Sequence, residues 1–457
     1  MRRILWFRRD LRVDDNPLLS LGGEVLPIFI FDIDILSALG RNDRRVTLIY
    51  NALIKLKDSL QQQGLNLALF YGKPLDVFQW LLSQGEYDEV CASGDYDTYA
   101  LERDRNVSHL LPFTYLHDTY IFTPDEILKS DGTPYQVFTP FYNRAKSLFT
   151  AEHMRHYFPS DQKLIAFDYE PLHILHATLH SVSVLNLEAI GFIPQMLTTA
   201  QWSSPEEKLS IFAEKIENYS KNRDYMALEG TSGLSSDLRF GTISIRKVLR
   251  WLVTQKQSEV DTEPFFRQLI FRDFYAMLLY HFPHLSQQNF RYPFKGIPDE
   301  TYFHAFCTAQ TGVPIVDAGI QELLQSGEMH NRVRMICASF FTKNLLLPWQ
   351  WGETFFAEHL NDYDAASNIL SWQWSAGTGV DPQPYFRIFN PYTQTSKFDS
   401  NGTYIYKWLP RLSHIPPKIL CNENLLAPLS LSHYPHPIVN HRISSHNALT
   451  YFKSIQN

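Results

Sequence analysis

Val25-Leu26-Pro27-Ile28-Phe29-Ile30-Phe31 is an unbroken apolar run that stops at Asp32 and Asp34. It is too short to cross a bilayer, which takes about 20 apolar residues. Its length and its Val, Ile and Phe content predict a strand buried on both faces. Ile4 to Phe7, Asn66 to Tyr71, Glu89 to Ala92 and Phe113 to His117 read the same way. Amphipathic stretches lie between them, such as Arg45 to Gln63, which stops at Gly64 as a helix should. Strand alternating with helix predicts a Rossmann-like parallel sheet that takes ligands at the carboxyl ends of its strands. No G-x-G-x-x-G follows the first strand, so the usual dinucleotide fingerprint is absent.

From about Ser147 to Trp202 no period holds, and Pro159, Pro171 and Pro194 interrupt the stretch. It reads as a long linker with short helical pieces. Beyond Pro205 the pattern is helical almost to the end: Glu206 to Tyr219, Ser244 to Gln255, Phe265 to Tyr280, Pro314 to Gln325, Asn331 to Asn344, Thr354 to Asn361 and Ala365 to Trp374. The expected fold class is α/β plus all-α. It comprises an α/β domain over 1–130, a linker over 131–204 and an all-helical domain over 205–457.

Composition agrees with about two globular domains: 457 residues, 44% hydrophobic and 19% charged. The net charge of −7 argues against a generally basic nucleic-acid binder, so any DNA contact must be a local patch. Cys91, Cys307, Cys337 and Cys421 are scattered, which suggests neither a disulfide framework nor a zinc knuckle and fits a reducing cytoplasm. The start, Met1-Arg2-Arg3-Ile4, has no signal-peptide character. The histidines His433, His436, His441 and His446 lie among prolines without ligand spacing, so no metal is expected.

Four constellations carry chemistry. In a helix, Asp364, Asn368 and Trp372 share one face, which makes either a capped buried helix or one wall of a site for a planar polar heterocycle. Trp374 lies about 200° away from Trp372 and serves another surface. Asn331 and Met335 also share a face, while Arg332 and Arg334 could reach phosphates or a buried acid. Gly230-Thr231-Ser232-Gly233 offers N–H groups and hydroxyls suited to a pyrophosphate, or is simply a loop. Gln268, Phe271 and Arg272 could present an amide, a ring and a cation together, or form an ordinary helix.

In this order, these pieces resemble the photolyase/cryptochrome family along nearly the whole chain. Trp6-Phe7-Arg8-Arg9-Asp10-Leu11-Arg12 with Asp15-Asn16-Pro17 looks like the family's N-terminal signature. The Thr231-Ser232 run, Thr311 to Asp317, Met329 to Met335, Trp372-Gln373-Trp374 and Tyr385 to Pro391 follow in order. The chain is most similar to class I cyclobutane pyrimidine dimer photolyases. The resemblance implies an antenna domain and a helical FAD-binding domain, with light-driven repair of pyrimidine dimers by electron transfer from reduced, anionic FAD to a flipped-out lesion. Damaged DNA is the implied partner, and a monomer is expected.

By the same resemblance, Tyr219, Thr231, Ser232, Leu234 and Ser235 cradle the FAD phosphates. Asp362, Asp364 and Asn368 line the flavin, with Asn368 near its reactive nitrogen, and Arg334 pairs with an acid beside the ring. Trp374 stacks on the lesion, which Asn331, Met335, Gln268 and Phe271 also face. Arg223, Arg272, Arg332, Arg387 and Lys397 look like DNA-backbone contacts, and Trp372 and Trp349 belong to an electron-transfer chain. Asn331 and Met335 match the cyclobutane-dimer pattern, whereas (6-4) photolyases carry histidines there.

The chain also departs from the pattern. Gln268 stands for a Glu and Phe271 for a Trp. Gly233 replaces an Arg, Glu328 an aromatic, and Phe306 the last tryptophan of the chain; a phenylalanine is hard to oxidise, so photoreduction would end at Trp349 or exit through a neighbour such as Trp351 or Tyr302. Gln268 and Phe271 favour a rival reading, a cryptochrome-like blue-light sensor without repair, and a (6-4) photoproduct photolyase is the other alternative. Asp95 to Tyr99 marks the place of a second, antenna chromophore, which is flavin-type, deazaflavin or absent.

Overall fold

The computed structural model describes residues 1–455 apart from Thr178 and Ser432. By internal contacts the chain divides into two compact units. The first holds Met1–Pro134, Phe141–Ser210 and Gly233–Pro283; the second holds Tyr135–Pro140, Ile211–Ser232 and the chain from His284 on.

The first unit is built on one sheet: β1 (Arg2–Phe7), β2 (Gly23–Asp32), β3 (Ala68–Gly72), β4 (Glu89–Ser93), β5 (Phe113–Leu116), β6 (Gln162–Leu164), β7 (Leu172–His176) and β8 (Leu179–Ser183). The order is β5-β4-β1-β2-β3-β7-β8, with β6 also paired to β2. Only the β7–β8 pair is antiparallel; Ile4 lies opposite Leu26, and Ile28 opposite Ala68. Alternation explains the apolar runs. Leu5, Phe7, Val25, Phe29 and Phe31 pack on one face with the helix Arg44–Gln62, through Val46, Leu53, Leu56 and Leu60. Ile4, Trp6, Leu26, Ile28 and Ile30 pack on the other with Pro74–Gln84, through Val77, Phe78 and Leu81. A strand covered on both faces has no polar side to show in its sequence.

The stretch read as a linker is more ordered than expected. It forms the helix Phe138–Leu148 and contributes β6, β7 and β8 to the sheet. β6 and β8 are short, with polar and exposed positions, and β7 is largely buried but only five residues long with two histidines, so apolar periodicity could not reveal them.

The helices Ile245–Gln257 and Glu263–His281 fall in the first unit. A buried charge network fixes the former. Arg12 forks onto Asp118 at 2.5 and 3.0 Å, Arg246 reaches Asp118 at 2.7 Å and Asp15 at 3.1 Å, and Ser244 and Arg250 also hold Asp15. Arg12 and Arg246 hold the Asp118 carboxyl at about 2 despite its burial.

The second unit is helical around a large core that includes Phe306, Phe340, Phe341, Trp349, Phe356 and Trp372. Its main helices are Pro314–Ser326, Asn331–Ser339, Trp349–His359, Ala365–Ala376, Pro391–Phe398 and His441–Ser454. Asn331–Ser339 runs on into a π-helical turn, Phe340–Asn344.

Candidate functional site

The helix Ala365–Ala376 starts where Asp364 turns extended and accepts from the Ser367 N–H at 3.1 Å, and it ends at Gly377 in the left-handed conformation. Asp364 is thus a cap one turn above Asn368. The Asn368 amide donates to the Glu353 carbonyl at 3.1 Å and to Glu353 Oε1 at 3.0 Å. Burial raises the Glu353 carboxyl, with Asn368 and the Tyr363 hydroxyl pulling the other way. Trp372 is buried, while Trp374, two residues on, is half-buried, as the helical turn requires.

Next to Tyr363 in sequence, Asp362 takes two bonds from Arg334 Nη2, at 2.9 and 3.1 Å, and Arg334 Nε holds the Met329 carbonyl at 2.8 Å. Arg334 with Asp362, and Tyr363 and Asn368 with Glu353, form two hydrogen-bonded sets in the second unit, linked along the chain where Asp362 precedes Tyr363. His330 caps the helix Asn331–Ser339 by accepting from the Arg332 N–H. Burial, with Arg332, Arg334 and Arg223 adding to it against Asp224, pushes the His330 imidazole down to about 4, so it is neutral at physiological pH. Asn331 is exposed and lies over Met335 with its amide 3.8 Å from the sulfur, on the shared face the spacing predicts.

The expected DNA cations differ in how free they are. Arg332 is paired to Asp224 at 2.8 Å and lies 4.5 Å over the Phe398 ring. Lys397 is exposed and 5.0 Å from the same ring. Arg223 stacks on Tyr219 at 5.4 Å, and Arg387 is exposed beside Phe386, which is 64% exposed. Arg272 departs from the expectation: it is half-buried, donates to the Thr119 and Leu238 carbonyls at 2.6 and 2.9 Å, and lies 4.5 Å over Tyr120. It clamps its own helix and is not a free cation.

Gln268 and Phe271 are half-buried on the helix Glu263–His281, in the first unit. Asp273, on the same helix, is buried and accepts the Ile121 and Phe122 N–H groups, both at 2.9 Å. Burial pushes its carboxyl up to about 7.

The Gly230–Ser235 segment crosses the division between the units. Tyr219, Thr231 and Ser232 belong to the second, Leu234 and Ser235 to the first. Tyr219 and Leu234 are buried, Ser232 is half-buried, and Thr231 and Ser235 are exposed. Gly230 lies against Asn222, where a Cβ would come within 2.9 Å of the Asn222 side chain and 3.0 Å of its backbone.

Around Trp372 the second unit is aromatic. Its ring meets Phe356 at 4.9 Å and Phe341 at 5.4 Å, and it sits directly on Gly352, where a Cβ would overlap it. Trp349 is buried and its indole N–H donates to Asn289 at 2.7 Å. Phe306 is buried against Phe341 at 4.8 Å, while Trp351 is half-buried and edge-on to Phe303 at 5.2 Å. The helix carrying Trp349 and Trp351 begins at Trp349, five residues before the predicted start, with Pro348, which makes no side-chain capping bond, at its N-cap.

Glu353, Asn289, Asp224 and Phe398 are parts that sequence reasoning missed. Glu353 is 15 positions from Asn368, and no periodic signal joins residues on separate helices.

In the second unit, the exposed Thr231 hydroxyl is a donor of the kind a phosphate takes, and the Arg–Asp pair with a fixed Asn offers polar groups of the kind a planar polar ring takes, a donor set whose chemistry suits a flavin nucleotide. With its NH₂ committed to Glu353, Asn368 keeps its amide oxygen to offer. The fit holds for FAD, and no group of three or more His, Cys, Asp or Glu placed for a metal occurs among the described residues.

A parallel-sheet unit followed by a helical flavin-nucleotide unit defines a class of two-part flavoproteins. The family model for DNA photolyase matches residues 3–160, and that for the FAD binding domain of DNA photolyase matches 265–454. The chain belongs to the DNA photolyase family, and its C-terminal part is that family's FAD-binding domain. A deoxyribodipyrimidine photo-lyase of a Synechococcus species is 34% identical, over 96% of this chain and 94% of the relative. Among solved structures, a class III photolyase from Agrobacterium tumefaciens matches with a TM-score of 0.86 and 31% identity, covering 100% of this chain and 98% of its own. An archaeal photolyase from Sulfolobus tokodaii, with two FAD molecules, matches at 0.84 and 29%, covering 100% of both chains. No helix among the described residues is long and apolar enough to cross a membrane.

Proposed function

We propose that this protein repairs cyclobutane pyrimidine dimers in DNA with light, as a deoxyribodipyrimidine photo-lyase. The observation that carries the reading is the linked group Arg334–Asp362 and Asn368–Glu353, on the same two helices as the Asn331–Met335 face and Trp374. Reduced, anionic FAD supplies the light-excited electron that splits the cyclobutane ring and then recovers it.

The chain's own residues hold and orient. Arg334 and Asp362 fix a charge-neutral polar edge for the flavin. Glu353 fixes the Asn368 amide with its oxygen left to accept, and Asn368 would hold the flavin near its reactive nitrogen. Asp364 caps that helix, and Trp372 closes the site on its buried side. Asn331, Met335 and Trp374 offer the second unit's face for the lesion, and Gln268 and Phe271 offer an amide and a ring on the first. A dimer stacks poorly, so flipping it costs less than flipping an ordinary base, and aromatic walls recover roughly 1–3 kcal/mol per base. Lys397, Arg387, Arg223 and Arg332 meet phosphates, a local basic patch on a chain of net charge −7.

The domain reading is an antenna domain over 1–130, a connecting segment over 131–204 and a flavin- and lesion-binding domain over 205–457, in a monomeric cytoplasmic protein. The test is to illuminate the reduced protein with dimer-containing DNA and follow the return of thymine absorbance. Recovery in light and none in darkness is expected. Intact flavin photochemistry without recovery sinks repair and favours the sensor reading, for which Gln268 and Phe271 speak.

A further inference from the structure

We propose that Lys343 is a positioning residue for the Trp372–Trp374 end of the site helix and for the Tyr385–Arg387 loop, an inference that rests on the reading of that helix as the flavin and lesion helix.

A π-helical turn holds one more residue than an α turn, and here it points a lysine into the core. Lys343 is fully buried. Its Nζ donates to the Ala376 carbonyl at 2.7 Å and lies 3.7 Å from the centre of the Phe452 ring. Ala376 is the last residue of the site helix, where carbonyls lack helical partners and carry the negative end of the dipole. The amine therefore caps that helix from the side, at the point where Gly377 turns the chain away. A Cβ on Gly377 would come within 3.2 Å of Nζ, so the lysine also fits closely against the turn.

The other contact leads outward. Phe452, on the C-terminal helix His441–Ser454, stacks on Phe294 at 4.9 Å and 17°, and on Tyr385 at 6.1 Å and 24°. Tyr385 opens the loop that exposes Phe386 and Arg387. One amine thus joins the end of the site helix, the C-terminal helix and the loop with the exposed ring and cation.

The grip depends on protonation. Burial alone pushes the Lys343 amine down to about 7. Among the described residues, the elements packed on it offer Nζ a carbonyl and a ring, and no charged side chain. Both forms can donate to Ala376, but only the ammonium is attracted to the ring and to the helix end. The hold is tighter below about pH 7 and looser above it.

The test uses the full-length, FAD-loaded protein, its Lys343→Met variant, and oligonucleotides with and without a thymine dimer. Hydrogen exchange of peptides from residues 371–390 is followed between pH 6 and 8, corrected for intrinsic rates, alongside flavin absorbance and DNA affinity. The variant is expected to keep its flavin, exchange about tenfold faster in that segment alone, lose the wild-type pH dependence there, and discriminate the dimer about tenfold less well. Unchanged exchange and discrimination would overturn the proposal. So would faster exchange spread over the whole second unit with discrimination intact, which marks a merely structural lysine. If Lys343→Met does not fold, Phe452→Leu keeps the Ala376 hydrogen bond and removes the ring; it must abolish the pH dependence, and retention of that dependence rejects the proposal. A wild-type protein without repair activity would sink the photolyase reading, while the exchange data would still decide Lys343.

Discussion

The side-chain amide of Asn368 is held twice by Glu353, through its backbone carbonyl at 3.1 Å and its Oε1 at 3.0 Å. An amide can sit either way round in a site, and these two acceptors fix it with the NH₂ toward Glu353 and the oxygen outward.

Glu353→Ala keeps the backbone carbonyl but removes the Oε1 acceptor, and is therefore expected to cost about 0.5–1.5 kcal/mol of stability in chemical denaturation, from one lost hydrogen bond of a buried amide. It should also slow repair more than it lowers flavin content. Because burial raises the Glu353 carboxyl, its contribution is full below the ordinary glutamate range and fades as pH rises through the raised value. Glu353→Gln should remove that dependence.

Asp362→Asn leaves Arg334 without its counter-charge. Charge-assisted bonds are worth about 1.5–3 kcal/mol, so FAD retention should fall roughly ten- to a hundredfold, read from flavin absorbance after dialysis. Arg334→Lys should fall between the two, since an ammonium cannot hold Asp362 and the Met329 carbonyl with the same fork.

The electron for photoreduction should enter the core from Trp351. Trp349 is buried with its N–H on Asn289, and Phe306 is too hard to oxidise to be the outer donor. The half-buried Trp351 faces Trp372 across Phe303 and Phe341, at ring distances of 5.2, 6.2 and 5.4 Å, and these two rings are a bridge that is not itself oxidised. A Trp351→Phe, Tyr302→Phe double variant is expected to bleach its oxidised flavin slowly under light with an external reductant, yet to repair normally once reduced chemically. Fast bleaching in the double variant rejects this route.

Asp273 predicts a pH signature of the first unit. Its carboxyl, ordinarily near 3.8, is raised to about 7 by burial, against two N–H donors and Arg272. Its stabilising contribution is complete below about pH 4 and is lost as pH rises through about 7. Wild-type Tm should fall by a few degrees more between pH 5 and 8 than that of Asp273→Asn, measured by calorimetry.

Lys397 is the exposed cation on the Phe398 platform. Lys397→Ala should weaken binding to damaged and undamaged DNA alike and lower the salt slope of log K by about 0.9. Arg332→Ala frees Asp224 as well, so its effect on affinity should exceed one lost phosphate contact.

The sheet was legible in the sequence because strands such as Val25 to Phe31 are covered on both faces and so lack polar positions. The helices Pro314–Ser326 and Ala365–Ala376 were legible from their spacing to within two residues of their ends, which Gly327 and Gly377 set. β6 to β8 were not, because they are only three to five residues long, β6 and β8 carry exposed polar positions, and all three are stabilised by pairing within a sheet made elsewhere in the chain.

The sequence by itself determined the family, the alternation that makes the parallel sheet, and the shared faces of Asn331 with Met335 and of Asn368 with Trp372, since each depends on local periodicity or ordered motifs. Only the tertiary structure decided that Glu353 orients Asn368, that Arg272 holds carbonyls, and that Lys343 is buried against Ala376 and Phe452. Those facts join residues on separate elements. Hydrogen bonding and burial depend on distance in space, and distance along the chain does not encode them.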